Sequence, residues 1–146
     1  MIKRKDLYDC WYHGTDRKAA KLIYKGNINV NLGVGELGQG FYMGNFLHEA
    51  KAWAFHKNGK NNIQNSVIQF TIKPFLSLKY RYIGTKRARA LYKKNKINNG
   101  HRTFKFNKDL IHSKVFMVER YDFQQLKWES LKGEKTVNTI SKALLK

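Results

Sequence analysis

The chain of 146 residues holds one cysteine, one proline and only ten acidic residues, and each scarcity narrows what it can be. A lone Cys10 excludes an internal disulfide framework and suits a reducing compartment. With Pro74 the single proline, Asn/Gly clusters at 58–65 and 95–100 mark the loops, and no linker or repeat divides the chain. No apolar run approaches the roughly 20 residues of a spanning helix. The basic start, Met1-Ile2-Lys3-Arg4-Lys5-Asp6, lacks the apolar stretch of a signal peptide. The expectation is one soluble, cytoplasmic domain over 1–146 without a membrane partner. Metal-ligand spacing is missing too, the five His and one Cys being scattered, so no metal is expected. There is no P-loop, and Gly38-Gln39-Gly40 lacks both the third glycine and the strand-then-helix setting of a Rossmann fingerprint.

What is present is positive charge. Lys and Arg number 29 against 10 Asp and Glu, a net +19, on a chain whose 42% hydrophobic and 14% aromatic content is that of a folded domain. Residues 79–108 carry 11 basic side chains and no acidic one, with Tyr80, Tyr82, Tyr92, Phe104 and Phe106 interleaved. Cations neutralise phosphates and exposed rings stack on unpaired bases. Lys79, Arg81, Lys86, Arg87, Arg89, Lys93 and Lys94 are therefore candidate nucleic-acid contacts, with an acidic protein that covers the patch as the alternative. Phe104 and Phe106 alternate along Arg102-Thr103-Phe104-Lys105-Phe106 and are expected in the core rather than on the surface.

Periodicity and turn chemistry predict strands over 10–13, 40–43, 67–72, 103–106 and 114–121, with 75–78 continuing the third beyond Pro74. Helices are predicted over 17–25, 47–56, 85–94 and 136–145, and 26–38 is a loop. Short strands with few helices suit an α+β fold with a split mixed or antiparallel sheet and flanking helices.

Two segments carry more. Trp11-Tyr12-His13-Gly14-Thr15 and Gly38-Gln39-Gly40-Phe41-Tyr42-Met43 stand 29 residues apart, His13 to Tyr42, with a predicted helix between and another after, on which Trp53 stands. The order resembles the ADP-ribosyltransferase fold of diphtheria toxin and the poly(ADP-ribose) polymerases, over about residues 10–75. There an aromatic-His-Gly-Ser/Thr strand precedes a Gly-x-Gly-φ-Tyr strand and a helix bearing a second aromatic. The resemblance implies NAD as substrate, with His13 on ribose, Gly14 beside the carboxamide, Thr15 and Gly40 among the NAD-binding residues, and Tyr42 and Trp53 sandwiching nicotinamide. Ala50 stands where polymerase-like members often have a serine. The RNA 2′-phosphotransferases share the fold but have a second His in place of Tyr42.

Transfer from NAD passes through an oxocarbenium-like state, which a carboxylate stabilises. The family places its glutamate on a late strand, Glu-x-x-φ-φ-Asp-x-x-Gln. Aligning Asp122 and Gln125 on that pattern puts Met117 at the glutamate position, with Glu119 two residues on and on the same strand face. Arginine-specific relatives use the second member of such a pair. Glu119 is therefore the expected catalytic carboxylate, beside His13 and Tyr42. Glu129, Glu36 in the glycine-rich loop, and Glu49, expected on an exposed helix face, follow. The resemblance implies a mono-ADP-ribosyltransferase acting on RNA or single-stranded DNA, similar to small toxin-like bacterial members, some of which an antitoxin silences. A protein-modifying transferase, or an inactive module kept for RNA binding, are the alternatives.

Overall fold

A computed structural model describes residues 10–58, 65–72, 77–117 and 122–145. Its elements run β1 (Cys10–Asp16), α1 (Arg17–Tyr24), β2 (Val34–Gly35), β3 (Gly38–Gln39), β4 (Phe41–Gly44), α2 (Leu47–Asn58), β5 (Asn65–Thr71), β6 (Tyr80–Tyr82) and α3 (Thr85–Ile97). A 3-10 turn (His101–Thr103), β7 (Leu110–Lys114), β8 (Gln124–Trp128), α4 (Leu131–Thr139) and β9 (Ser141–Leu145) follow. Among the described residues seven strands form one sheet in the order β6-β7-β8-β4-β1-β5-β9, while β2 and β3 make a separate hairpin. Only β6 and β7 run parallel; the other pairs are antiparallel. The class is α+β with a mixed sheet.

Local chemistry sets the boundaries. Asp16 caps α1, its carboxylate accepting from the Ala19 amide at 2.7 Å. Gly26, at φ +87°, turns the chain away at the other end, a conformation that costs glycine little. Ser130 caps α4 by accepting from the Gly133 amide at 2.8 Å.

Strand alternation then divides the sheet into two faces. One gathers Trp11, Phe41, Met43, Ile68, Phe70, Leu110, Leu126 and Trp128 with Ala20 and Ile23 of α1 and Val137 of α4 into the larger apolar core. On the other, α2 lies along β1 and β5 and α3 packs on β7. Leu37, Ile83, Ala88, Ile111 and Phe116 form a smaller cluster there, flanked by Tyr42, Tyr92 and Phe106. Gly14 belongs to this second face: a Cβ on it would come within 1.9 Å of the Ala50 carbonyl, so the bare backbone lets α2 lie against β1.

Several predicted elements differ. The strand expected over 103–106 is the end of the 3-10 turn and a loop, where Phe104 and Phe106 are half-buried against the Lys127 side chain instead of lining a strand face. The strand expected over 114–121 belongs to β7 only at Lys114, and 118–121 lie outside the described residues. The helix expected over 136–145 ends at Thr139, and Ser141–Leu145 pairs with β5, tertiary pairing overriding a helix-compatible composition. The 26–38 loop contains β2 and the start of β3. Of 75–78, residues 75 and 76 lie outside the described set and 77–78 form a turn and bend. Among the described residues no helix is long and apolar enough to cross a membrane.

Candidate functional site

β8, β4 and β1 are consecutive in the sheet and carry Gln125, Tyr42 and His13. Met117, the other aligned position of the late-strand pattern, lies in the bend after β7. β1 and β4 pair at Tyr12–Gly44, and one residue further along β1 the His13 side chain crosses to β4. Its Nδ1 donates to the Tyr42 carbonyl at 2.6 Å. The imidazole stacks on Phe41, centroids 4.4 Å apart. Phe41 and Tyr42 point to opposite faces, so His13 and Tyr42 meet through the backbone while their rings occupy different sides of the sheet.

Tyr42 sits under the segment 33–40. Its hydroxyl accepts from the Leu37 amide at 3.0 Å and donates to the Gly38 carbonyl at 2.6 Å. Gly35 lies against the hydroxyl end of the ring, where a Cβ would approach Cζ to 2.7 Å. Burial raises the phenol well above its ordinary 10.0, the Leu37 amide opposing and the Glu129 and Glu36 carboxylates adding to the rise. The expected partner ring is elsewhere: Trp53 is 60% exposed on α2 and makes no ring contact with Tyr42. Thr15 is buried. Gly40 serves packing, because a Cβ there would meet Cγ of Lys127 at 2.6 Å.

A carboxylate does reach this region, from the loop. Glu36 accepts from the Phe116 amide at 2.9 Å and the Met117 amide at 2.8 Å. The Gln125 side chain donates to it at 3.0 Å. The side chain thus binds the backbone of Met117, the residue aligned with the family glutamate, which lies in the bend after β7 rather than on a strand. It belongs to the residue preceding the Tyr42-bound Leu37. Glu119, the expected carboxylate, lies outside the described residues. Glu49 is less open than expected, its side chain 15% exposed and 3.5 Å from His48; α2 folds this end of the helix against the sheet.

Other polar groups fasten the same segment. His101 is buried, and its Nε2 donates to the Gly35 carbonyl at 2.7 Å; burial lowers its pKa. The Gln39 amide donates to the Phe104 carbonyl at 2.9 Å. Lys127 has no exposed surface; its ammonium donates to the Leu37 carbonyl at 2.8 Å and lies 2.8 Å from Glu129. Burial brings its pKa down to about 8, with Glu129 pulling the other way. Sequence reasoning missed Lys127, Gln125 and His101. Lys127 pairs across the sheet with Tyr42 on one side and Ile111 on the other, and that row places it on the second face. The signal lay in Gln124-Gln125-Leu126-Lys127-Trp128, whose alternation reads as a strand once the polar positions are allowed to be covered.

The nucleic-acid candidates lie just before β6 (Lys79), on β6 (Arg81) and on α3. Lys79, Lys86, Arg87, Arg89, Lys93 and Lys94 are exposed and Arg81 is half-exposed. Arg89 donates to the Phe116 carbonyl at 3.3 Å. Among the described residues no three His, Cys, Asp or Glu side chains converge on a metal position. No protein family, curated protein or solved structure matches the chain.

Proposed function

We propose that the protein cleaves the bond between nicotinamide and ribose in NAD and transfers ADP-ribose to RNA or single-stranded DNA. The observation that carries this is Glu36: a carboxylate held by the Phe116 and Met117 amides and Gln125, one residue from the backbone amide that binds Tyr42. Beside it stands the strand pair bearing His13 and Tyr42. Three donors use part of a carboxylate's acceptor capacity, leaving room for a ribose hydroxyl. A charge fixed by backbone amides needs little reorganisation as the oxocarbenium forms, which is how such a group lowers a barrier. As the C1′–nitrogen bond breaks, nicotinamide leaves with the electron pair; an acceptor oxygen or nitrogen attacks C1′ and gives its proton to water. Nicotinamide can stack on the face of Tyr42 now covered by Gly35 only if residues 33–35 withdraw while Glu36 keeps its bonds to the Phe116 and Met117 amides. The exposed cations of β6 and α3 draw in the acceptor's phosphates.

The test is transfer of labelled ADP-ribose from NAD, offering RNA, single-stranded DNA and cell-extract protein in parallel, with wild type, Glu36→Gln and Glu119→Gln. Label on nucleic acid that is lost in Glu36→Gln and kept in Glu119→Gln is the expected result. Label confined to protein replaces the acceptor. Loss in Glu119→Gln alone moves the carboxylate to that residue. No label on any acceptor overturns the proposal.

A further inference from the structure

A second site stands apart from the Tyr42 region. The turn at 77–79, the segment 105–109, the loop at 30–31 and the start of α4 enclose an open cavity of about 500 Å³. Four lysines line it, Lys79, Lys105, Lys108 and Lys132. Two acids lie at its base, and both are already engaged. Asp109 accepts from the Lys79 amide at 2.7 Å and the Ser130 hydroxyl at 2.6 Å. Glu129 is paired with Lys127 at 2.8 Å and accepts from the Lys108 amide at 3.2 Å. The lysine ammonium groups have only neutral partners: Lys105 donates to the Asn31 side chain and Lys132 to the Ser77 carbonyl, each at 2.6 Å. None of the four makes an ion pair with a carboxylate among the described residues.

Four cations around one cavity repel one another, and an anion bound among them relieves that repulsion. We infer that this cavity is a phosphate-binding site that takes a backbone phosphate of a single-stranded polynucleotide. Two features favour a polynucleotide over a free nucleotide. The cavity is open, and its charges are compact ammonium groups rather than the planar fork of an arginine that would clamp one terminal phosphate. Lys79, Lys105 and Lys108 also belong to the stretch 79–108, which lacks any acid. Lys132, far along the chain, completes the ring and was not foreseen from that stretch. The site deepens the acceptor half of the proposed reaction but is read by binding alone. A protein that binds RNA here yet leaves NAD intact would lose the transferase proposal and keep this one.

The experiment is fluorescence anisotropy of a labelled 12-nucleotide single-stranded RNA, without NAD, over a range of salt. It compares wild type with Lys79→Gln/Lys108→Gln/Lys132→Gln and with Lys18→Gln/Lys21→Gln/Lys25→Gln. The second triple removes equal charge from exposed positions on α1 and the turn after it, which with Arg17 line another cavity of about 330 Å³ that has no place in the 79–108 stretch. The cavity triple should weaken binding by about 30-fold or more at 0.1 M salt. It should also reduce the slope of log affinity against log salt by about 2, at about 0.7 per phosphate contact. The α1 triple should change affinity less than about threefold. The double Lys79→Gln/Lys108→Gln removes no side-chain hydrogen bond among the described residues and should reduce the slope by about 1.4. Equal losses in both triples would make binding a matter of net charge and overturn the site, as would no loss in the cavity triple. Loss of affinity for ADP-ribose or inorganic phosphate with RNA affinity intact would assign the cavity to a nucleotide and overturn the polynucleotide. Binding of poly-glutamate through these lysines in place of RNA would overturn it in favour of an acidic protein.

Discussion

The two faces of the one sheet differ in how much of their buried surface is polar. On the first, Trp11, Phe41, Phe70, Leu126 and Trp128 meet two helices in a mainly apolar core, beside which His112 is buried and hydrogen-bonded to Tyr80 and Gln124. On the second, the strands present Tyr42, Ser113, Gln125 and Lys127, and the loop covering them brings Glu36 and main-chain carbonyls. An apolar face is stabilised in proportion to area and tolerates adjustment. A polar face depends on every donor meeting an acceptor, so each member is expensive to lose. The difference teaches where chemistry can be sited: charged groups held dry and oriented lie under the segment 33–40, and none lies in the larger core.

The contrast breaks most sharply at Lys127. Replacing it by Met leaves the Glu129 carboxylate, 1% exposed, without its ammonium partner. The cost should be about 3–5 kcal/mol in a denaturant titration, and Lys127→Met/Glu129→Leu should recover more than half of it. A single variant as stable as wild type would show that the pair is not formed in solution. Next is Gly14→Ala, whose new methyl would strike the Ala50 carbonyl. Displacement of α2 should cost about 1–3 kcal/mol, read as a lower thermal midpoint.

A smaller effect separates the faces by pH. Lys127 holds a folded pKa of about 8 against an ordinary 10.5. Between those values the unfolded chain binds more protons, so this residue's contribution makes stability rise with pH across that window. The rise should reach up to about 2 kcal/mol between pH 8 and 9.5, at about 1.4 kcal/mol per unit, and should be absent in Lys127→Met. Parallel stability curves for the two proteins would refute it. Above pH 10 Tyr42, whose folded pKa is raised, acts in the opposite sense. Smallest is Ile68→Val on the apolar face, expected to cost about 0.5–1.5 kcal/mol equally at pH 7.5 and 9.5. A pH-dependent cost there would erase the distinction between the faces.

The same contrast explains what could be read in advance. β1, α1, β4, α2, β5 and α3 declare themselves through local periodicity and turn chemistry. β8 did not, because Gln125 and Lys127 read as solvent-facing polar residues, and nothing local says that a loop will cover them. The missed β9 is a matter of pairing: Ser141-Lys142-Ala143-Leu144-Leu145 becomes a strand beside β5 although its composition permits a helix. Within the candidate site, His13 and Tyr42 were legible as motif residues. Glu36 reaches Met117 across 81 positions of chain, a juxtaposition that no local pattern encodes.

The proposal most in need of a test is that Glu36 supplies the carboxylate absent at Met117, in the bend after β7. Its most direct test is nicotinamide release from NAD by wild type, Glu36→Gln and Glu36→Gln/Met117→Glu, with thermal midpoints measured alongside. The account predicts that Glu36→Gln stays folded and loses about 100-fold or more in rate, and that the double variant regains at least about 10-fold through a glutamate at an already exposed position. Release by Glu36→Gln at the wild-type rate, or no release by the wild type at all, would contradict it.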